Sequence, residues 1–123
     1  MDSATNADLK RIRTGLLNTM QGFMQPFEND GSNAPYCAAD IERCAAILDA
    51  LVAKLDSAAG NAGCIMSAVQ DAVLKLNELS KEVESLIETG QREDLCEFIE
   101  LAAAAAGLEI EAGKDITEEW REW

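Results

Sequence analysis

The sequence contains no histidine among its 123 residues. A catalytic triad, a histidine general base and a cysteine–histidine nucleophile pair are therefore excluded. Di-iron helical bundles need Glu-x-x-His ligand pairs, so that class of metalloprotein is excluded as well. The sequence also lacks a GxxxxGK[ST] loop and a GxGxxG turn, the two common phosphate-binding motifs. We therefore expect a protein that is not an enzyme and that carries no cofactor.

Long apolar runs are also absent. No stretch approaches the roughly 20 apolar residues that a membrane-spanning helix needs. The opening residues, MDSATNADLKRIR, carry charges and threonines where a signal peptide would have an apolar stretch. Residues 108–112 (LEIEA) are the only alternating fragment, and they are too short to build a sheet. We expect a cytoplasmic, strand-free protein that does not contact membranes.

Basic residues are few. There are 10 Lys and Arg against 23 Asp and Glu, which gives a formal net charge of −13. Residues 1–61 carry −3 and residues 62–123 carry −10, and the excess in the second half begins at Glu78. Such a field repels nucleic acid and anionic membranes and attracts basic proteins or metal cations. This negative charge excludes nucleic-acid binding and favours a basic protein partner. The other interpretation is that the acidity serves solubility alone.

The four cysteines, at positions 37, 44, 64 and 96, show no CxxC spacing. Without histidine, a zinc site would need all four thiolates to converge from separate segments. Cys37 and Cys44 lie seven residues apart on one predicted helical face among leucines, where cysteine acts as a small apolar residue. We expect core thiols in a reducing compartment, since disulfides would require secretion.

Four segments have the three- and four-residue apolar spacing of amphipathic helices. The first is predicted to begin after Asn6 and to stop before Pro26, because proline disfavours helix in the residue preceding it. The second covers about residues 36–59, and Gly60 and Asn61 suit the end of that helix and the N-cap of the third. The predicted core positions are Leu9, Ile12, Leu16, Met20, Phe23, Met24, Cys37, Ile41, Cys44, Ala45, Leu48, Leu51, Val52, Leu55, Ile65, Val69, Ala72, Val73, Leu76 and Leu79.

The fourth helix is predicted from Thr89, as N-cap, to Gly107, as the stop. It presents Leu95, Phe98, Ile99, Ala102, Ala103 and Ala106 inward. Residues 80–88 fit either an extension of the third helix or a loop, and Asp115 or Thr117 could cap a last short turn. The predicted fold is one all-α domain over residues 1–123. It is a four-helix bundle, up-down or orthogonal, with a short C-terminal helical turn.

Two groups of residues are candidates for function. Glu93, Glu97 and Glu100 share the face of the fourth helix opposite its apolar stripe, where they could contribute to a magnesium site or form a solvated exterior. Trp120 and Trp123 could fold back as a lid on the bundle, with nearby glutamates outward. They could instead form an exposed aromatic anchor, since tryptophan is frequent at binding hot spots.

Three segments carry a resemblance to a family. LNELS at 76–80, LIETGQRE at 86–93 and DITEEWREW at 115–123 resemble a layout found in small acidic bacterial proteins of unknown function, which share an LIETxQRE segment and a DITEEWREW-like C-terminus. Gly90 stands where that layout has aspartate. The likeness covers about the last 50 residues. It implies a bacterial cytosolic protein and brings no activity or catalytic residues.

These observations favour a non-enzymatic, acidic protein-binding module, an immunity- or antitoxin-like antagonist of a basic partner such as a nuclease toxin. The predicted partner-binding residues are Glu93, Glu97, Glu100, Glu118, Glu119, Trp120 and Trp123. The alternatives are a Mg²⁺-dependent enzyme similar to all-α nucleotide pyrophosphohydrolases, using the Glu93/Glu97/Glu100 face, and a structural homodimer built on Leu74 or the tryptophans.

Overall fold

The computed structural model describes residues 3–30 and 36–123. Four α-helices occupy most of these residues: α1 (Ser3–Asp30), α2 (Ala38–Ser57), α3 (Ala62–Glu82) and α4 (Thr89–Ala105). No strand occurs in these two ranges. The predicted all-α fold is therefore confirmed. Within the same ranges, no helix has the length and apolar character needed to cross a membrane.

The helices form a closed ring of contacts. α2 packs most extensively on α3 and α1 on α4, while α1 also contacts α2 and α3 contacts α4. A further contact between α2 and α4 crosses the middle of the ring. Connections of four residues (58–61) and six residues (83–88) join α2 to α3 and α3 to α4, which keeps consecutive helices adjacent.

One continuous hydrophobic core lies between the four helices. Its fully buried members include Leu16, Met20, Leu48, Leu51, Ile65, Leu76, Leu95, Phe98 and Ile99. These residues come from every predicted apolar stripe, so burial of the stripes holds the bundle together. Leu74 is exposed on the far side of α3, as its position in the pattern predicts.

The predicted limits of α1 are wrong at both ends. The helix begins at Ser3 rather than after Asn6, and it continues through Pro26 to Asp30. Proline removes one backbone donor and disfavours helix in the residue before it, but it does not forbid a helix that continues. Phe23, a predicted core residue, is 52% exposed. Met24 lies outside the residues whose side chains the structure describes.

The ends of α3 and α4 follow known capping chemistry. Asn61 caps α3 as predicted, because its Oδ1 accepts a hydrogen bond of 3.0 Å from the Cys64 backbone N–H. Gly107 adopts a positive φ after α4. There the N–H of Leu108 bonds to the carbonyl of Ala103, in the Schellman arrangement that ends helices.

The sequence left residues 80–88 undecided between helix and loop. In the structure, residues 83–88 form a turn between α3 and α4. α3 ends at Glu82, and Leu86 and Ile87 are buried in the connection that follows. The N-cap of α4 is Glu88 rather than the predicted Thr89, and the side chain of Gln91 accepts a hydrogen bond from the Glu88 N–H. Burial of two apolar residues in six explains why this connection lies against the bundle.

All four cysteines are free thiols. Cys44 is the core thiol that the sequence predicts, and burial raises its pKa to about 12. The prediction is wrong for Cys37 and Cys64, which are exposed. Cys37 is the N-cap residue of α2 and lies at the helix end rather than on its apolar face. Cys96 is partly buried, and its sulfur lies within hydrogen-bonding distance of Thr117 and Arg121.

Candidate partner-binding surface

Two grooves adjoin each other where residues 108–114 lie beside α4. The first has a volume of 470 Å³ and is lined by Met66, Leu108, Glu109, Ile110, Glu111, Lys114, Asp115, Ile116, Glu118 and Glu119. The second has a volume of 650 Å³ and is lined by Glu93, Cys96, Glu97, Glu100, Leu101, Ala104 and residues 110–114. Both grooves include Ile110, Glu111 and Lys114. The fold thus brings the five glutamates predicted for partner binding to one continuous region.

Negative charge dominates this region. Eight carboxylates and one ammonium group line the two grooves, a formal charge of −7. Asp115 forms an ion pair of 3.1 Å with Arg121. Within the described part of the chain the other seven form no ion pair: Glu93, Glu97, Glu100, Glu109, Glu111, Glu118 and Glu119. We call these seven glutamates and the grooves they line the acidic surface.

Several basic residues of the bundle form ion pairs away from the acidic surface. Arg13 contacts Asp49 and Arg43 contacts Glu82. Lys54 and Lys75 both contact Asp71, and these contacts lower the pKa of that carboxyl. Among the described residues, Lys114 is thus the only cation that lines the grooves, against eight carboxylates.

Burial and a neighbouring carboxylate both act on Glu100. Its pKa is raised, first by burial of the carboxyl and second by the negative charge of Asp115. Glu93 and Glu97, one turn or two away on the same helix, are exposed. Of the two interpretations of this face, a solvated exterior describes Glu93 and Glu97, whereas Glu100 is half-buried in the wall of a groove.

Residues 115–123, which we call the C-terminal segment, border the acidic surface. They contain a compact turn. Asp115 Oδ1 accepts hydrogen bonds from the Thr117 backbone N–H (2.9 Å) and from Thr117 Oγ1 (2.6 Å). Thr117 is completely buried. The N–H of Arg121 donates to the Thr117 carbonyl, which closes the turn around Glu118 and Glu119. Both glutamates therefore project from an ordered backbone.

The C-terminal segment is attached to two helices. On α3, the side-chain amide of Asn77 donates to the Trp120 carbonyl (2.7 Å) and accepts from the Glu122 N–H (2.9 Å). On α4, Arg121 Nη1 donates to the Cys96 sulfur at 3.3 Å. An exposed ion pair between Lys81 and Glu122 adds to the α3 attachment. The segment thus bridges the third and fourth helices.

Trp120 and Trp123 are partly buried and pack against the core. The Arg121 guanidinium lies 5.5 Å from the ring centre of Trp123, a cation–π distance. The folded-back arrangement, with Glu118, Glu119 and Glu122 outward, is therefore the one that the structure adopts. Neither tryptophan lines the two grooves, so a part for them in partner binding stays a prediction.

The magnesium interpretation of Glu93, Glu97 and Glu100 finds no matching geometry. Among residues 3–30 and 36–123, no group of three or more Asp, Glu or Cys side chains is placed to hold a metal ion. Spacing of four and three residues puts these glutamates on one face but does not converge their carboxylates. A metal site needs further oxygen ligands around one point.

The chain matches no protein-family model, no curated protein and no solved structure. The resemblance of the C-terminal half to small acidic bacterial proteins accordingly stays a prediction.

Sequence reasoning missed Asn77, which holds the C-terminal segment. Asn77 is only 3% exposed and follows Val73 by four residues, so it occupies a core-facing position of α3. A polar residue at such a position needs hydrogen-bond partners. Its place on the apolar face was therefore the sign in the sequence that Asn77 makes specific contacts. Its two partners lie 43 and 45 residues further along the chain, where no local pattern identifies them.

Proposed function

We propose that this protein is a non-enzymatic binding protein whose acidic surface engages a basic segment of another protein. The concrete version is an immunity- or antitoxin-like antagonist of a basic toxin, acting in the bacterial cytoplasm. Binding would place lysine or arginine side chains of the partner opposite the unpaired glutamates. In this way the partner would supply countercharges to glutamates that form no ion pair with the described residues of this protein.

One observation carries this proposal: two adjoining grooves are surrounded by seven glutamates that form no ion pair within the part of the chain that the structure describes. Acids that only maintain solubility need no common location, and paired acids such as Asp49 would serve equally well. The grooves also have apolar walls, with Leu101 and Ala104 from α4 and Leu108, Ile110 and Ile116 after it. An apolar centre with a charged rim is the usual composition of a protein–protein interface.

Charge complementarity has a kinetic consequence. A concentrated negative field accelerates the encounter with a basic protein and selects against acidic ones. Because the Debye length is only about 10 Å at 0.1 M salt, association should slow as salt is added. The Glu100 carboxyl, whose pKa is raised in the free protein, should lose proton affinity when a cation docks beside it.

The test compares two variants of equal net charge. Glu93, Glu97, Glu118 and Glu119 are changed to glutamine in the first variant. The matched control changes four exposed acids that line neither groove: Glu42→Gln, Asp56→Asn, Glu78→Gln and Glu84→Gln. Both variants are four charges less negative than the wild type. They are immobilised beside it, and each is incubated with lysate of the source organism at low and high salt.

We expect the wild type and the control to retain the same basic protein at low salt and the groove variant to lose it. The retained protein is then purified, and its activity is measured with and without each variant. Inhibition by the wild type and control alone would support the antagonist version. Retention of nothing by the wild type, or equal retention by both variants, would contradict the proposal.

A further inference from the structure

We infer that Asn77 is a positioning residue for the acidic surface. It fastens the C-terminal segment to α3 and thereby sets where Glu118 and Glu119 stand. The binding consequence of this inference rests on the proposed function, whereas the attachment itself does not.

The chemistry of the attachment is specific to asparagine. Its side chain carries one carbonyl acceptor and one N–H₂ donor on a short stem. Both ends are used here, on the Trp120 carbonyl and the Glu122 N–H of the same segment. Aspartate of similar size would keep the acceptor but lose the donor, and its charge would face the Trp120 carbonyl. Alanine would leave both backbone groups of the segment without their partner.

The position of the attachment explains its effect on the two glutamates. Glu118 and Glu119 lie between Thr117, which is completely buried, and Trp120, whose carbonyl Asn77 holds. With one flank buried and the other fastened, the backbone of these two residues has little freedom. Releasing the Trp120 side would let both carboxylates move away from the groove.

The helices do not depend on this attachment to the same degree. Apart from Ile116, the fully or largely buried apolar core residues precede the C-terminal segment in the sequence, at positions 9–103. Segments held by a few hydrogen bonds open at lower free energy than the core around them. Loss of Asn77 should therefore open the C-terminal segment while the four helices persist.

The experiment uses Asn77→Asp and Asn77→Ala, with Asn61→Asp as the control. The control adds the same negative charge at the exposed N-cap of α3, where aspartate is as effective as asparagine. Hydrogen exchange of the Glu122 amide reports the attachment, and circular dichroism reports the helices. Binding is measured with a synthetic oligolysine peptide at several salt concentrations.

In the wild type and control we expect the Glu122 amide to exchange slowly. In both Asn77 variants it should exchange faster than in the wild type, because its acceptor is lost or the segment is released, with helix content unchanged. Oligolysine should bind Asn77→Asp more weakly than the Asn61→Asp control, and Asn77→Ala more weakly than the wild type. Each loss should be roughly two- to thirty-fold, the range that two exposed charge contacts represent. The salt dependence of binding should also become shallower. Added charge alone would give the opposite result for Asn77→Asp, namely tighter binding.

Two results would overturn the inference. The first is fast exchange of the Glu122 amide in the wild type, which can be measured even if neither variant folds. The second is unchanged affinity and salt dependence in both folded variants despite fast exchange. If the wild type does not bind oligolysine at all, the proposed function fails, while the exchange measurement still decides whether Asn77 fastens the segment.

Discussion

Replacing Thr117 by valine should destabilise the protein in a pH-dependent way. Valine has nearly the same shape, so the completely buried site keeps its packing and loses only the hydroxyl. That hydroxyl donates to the Asp115 carboxylate at 2.6 Å. Hydrogen bonds to charged groups contribute about 1.5–3 kcal/mol. Because 29% of the Asp115 side chain is exposed, we expect a loss near the lower end of that range at pH 7.

The pH dependence follows from the pKa of Asp115. Burial acts to raise this pKa, but hydrogen bonds from the Thr117 hydroxyl and N–H, together with Arg121, outweigh it and leave the pKa lowered. A carboxyl whose pKa is lowered by folding stabilises the protein above its unfolded pKa, and this stability is lost as pH falls through the folded value. The Thr117→Val variant lacks one of the lowering interactions. The difference in unfolding free energy between the two proteins should therefore shrink on acidification.

Urea denaturation from pH 7 down to the acid range measures this difference. Thr14→Val provides the control, since Thr14 is an exposed threonine of α1 and the same substitution there should change stability little. A second check is the double variant with Asp115→Asn, in which the effect of Thr117→Val should be smaller than in the wild type. A destabilisation that is constant with pH, or no larger than that of Thr14→Val, would refute the argument.

Three further predictions concern other sites. Glu100→Gln should raise the unfolding free energy at pH 7 by up to about 0.5 kcal/mol, because the raised pKa of Glu100 means that its charge opposes folding. This gain should vanish as pH falls through that pKa in urea titrations. Gly107→Ala should cost about 1–3 kcal/mol in the same assay, since φ of +117° strains any residue with a Cβ; an unchanged midpoint would contradict this conformation. Iodoacetamide should label Cys37 and Cys64 in the folded protein and Cys44 only after unfolding, and early labelling of Cys44 by mass spectrometry would be inconsistent with its burial.

The four helices were predictable because each one places apolar residues at three- and four-residue steps along its buried face. A residue such as Leu48 or Ile99 is buried with its neighbours three and four positions away, so the pattern is visible within a short window. Where one residue opposes the pattern, the outcome depends on the rest of the fold. Pro26 did not end α1, and Cys37 lies at the exposed N-cap of α2 rather than in the core.

The candidate site was predictable only in its residue types. Glu93, Glu97 and Glu100 belong to one helical face by spacing alone. Their proximity to Glu118 and Glu119 depends on how residues 108–114 lie against α4, which no periodic pattern encodes. Long-range hydrogen bonds that span more than 40 residues likewise leave no local trace.

Both tryptophans of the chain lie in the C-terminal segment, and each packs on the bundle without belonging to a helix. Tryptophan fluorescence therefore observes this segment alone, whereas far-ultraviolet circular dichroism observes the helices. If the segment leaves the bundle before the helices melt, the two spectroscopic unfolding curves will separate along the denaturant axis. The two tryptophans therefore report detachment of the C-terminal segment without any added label.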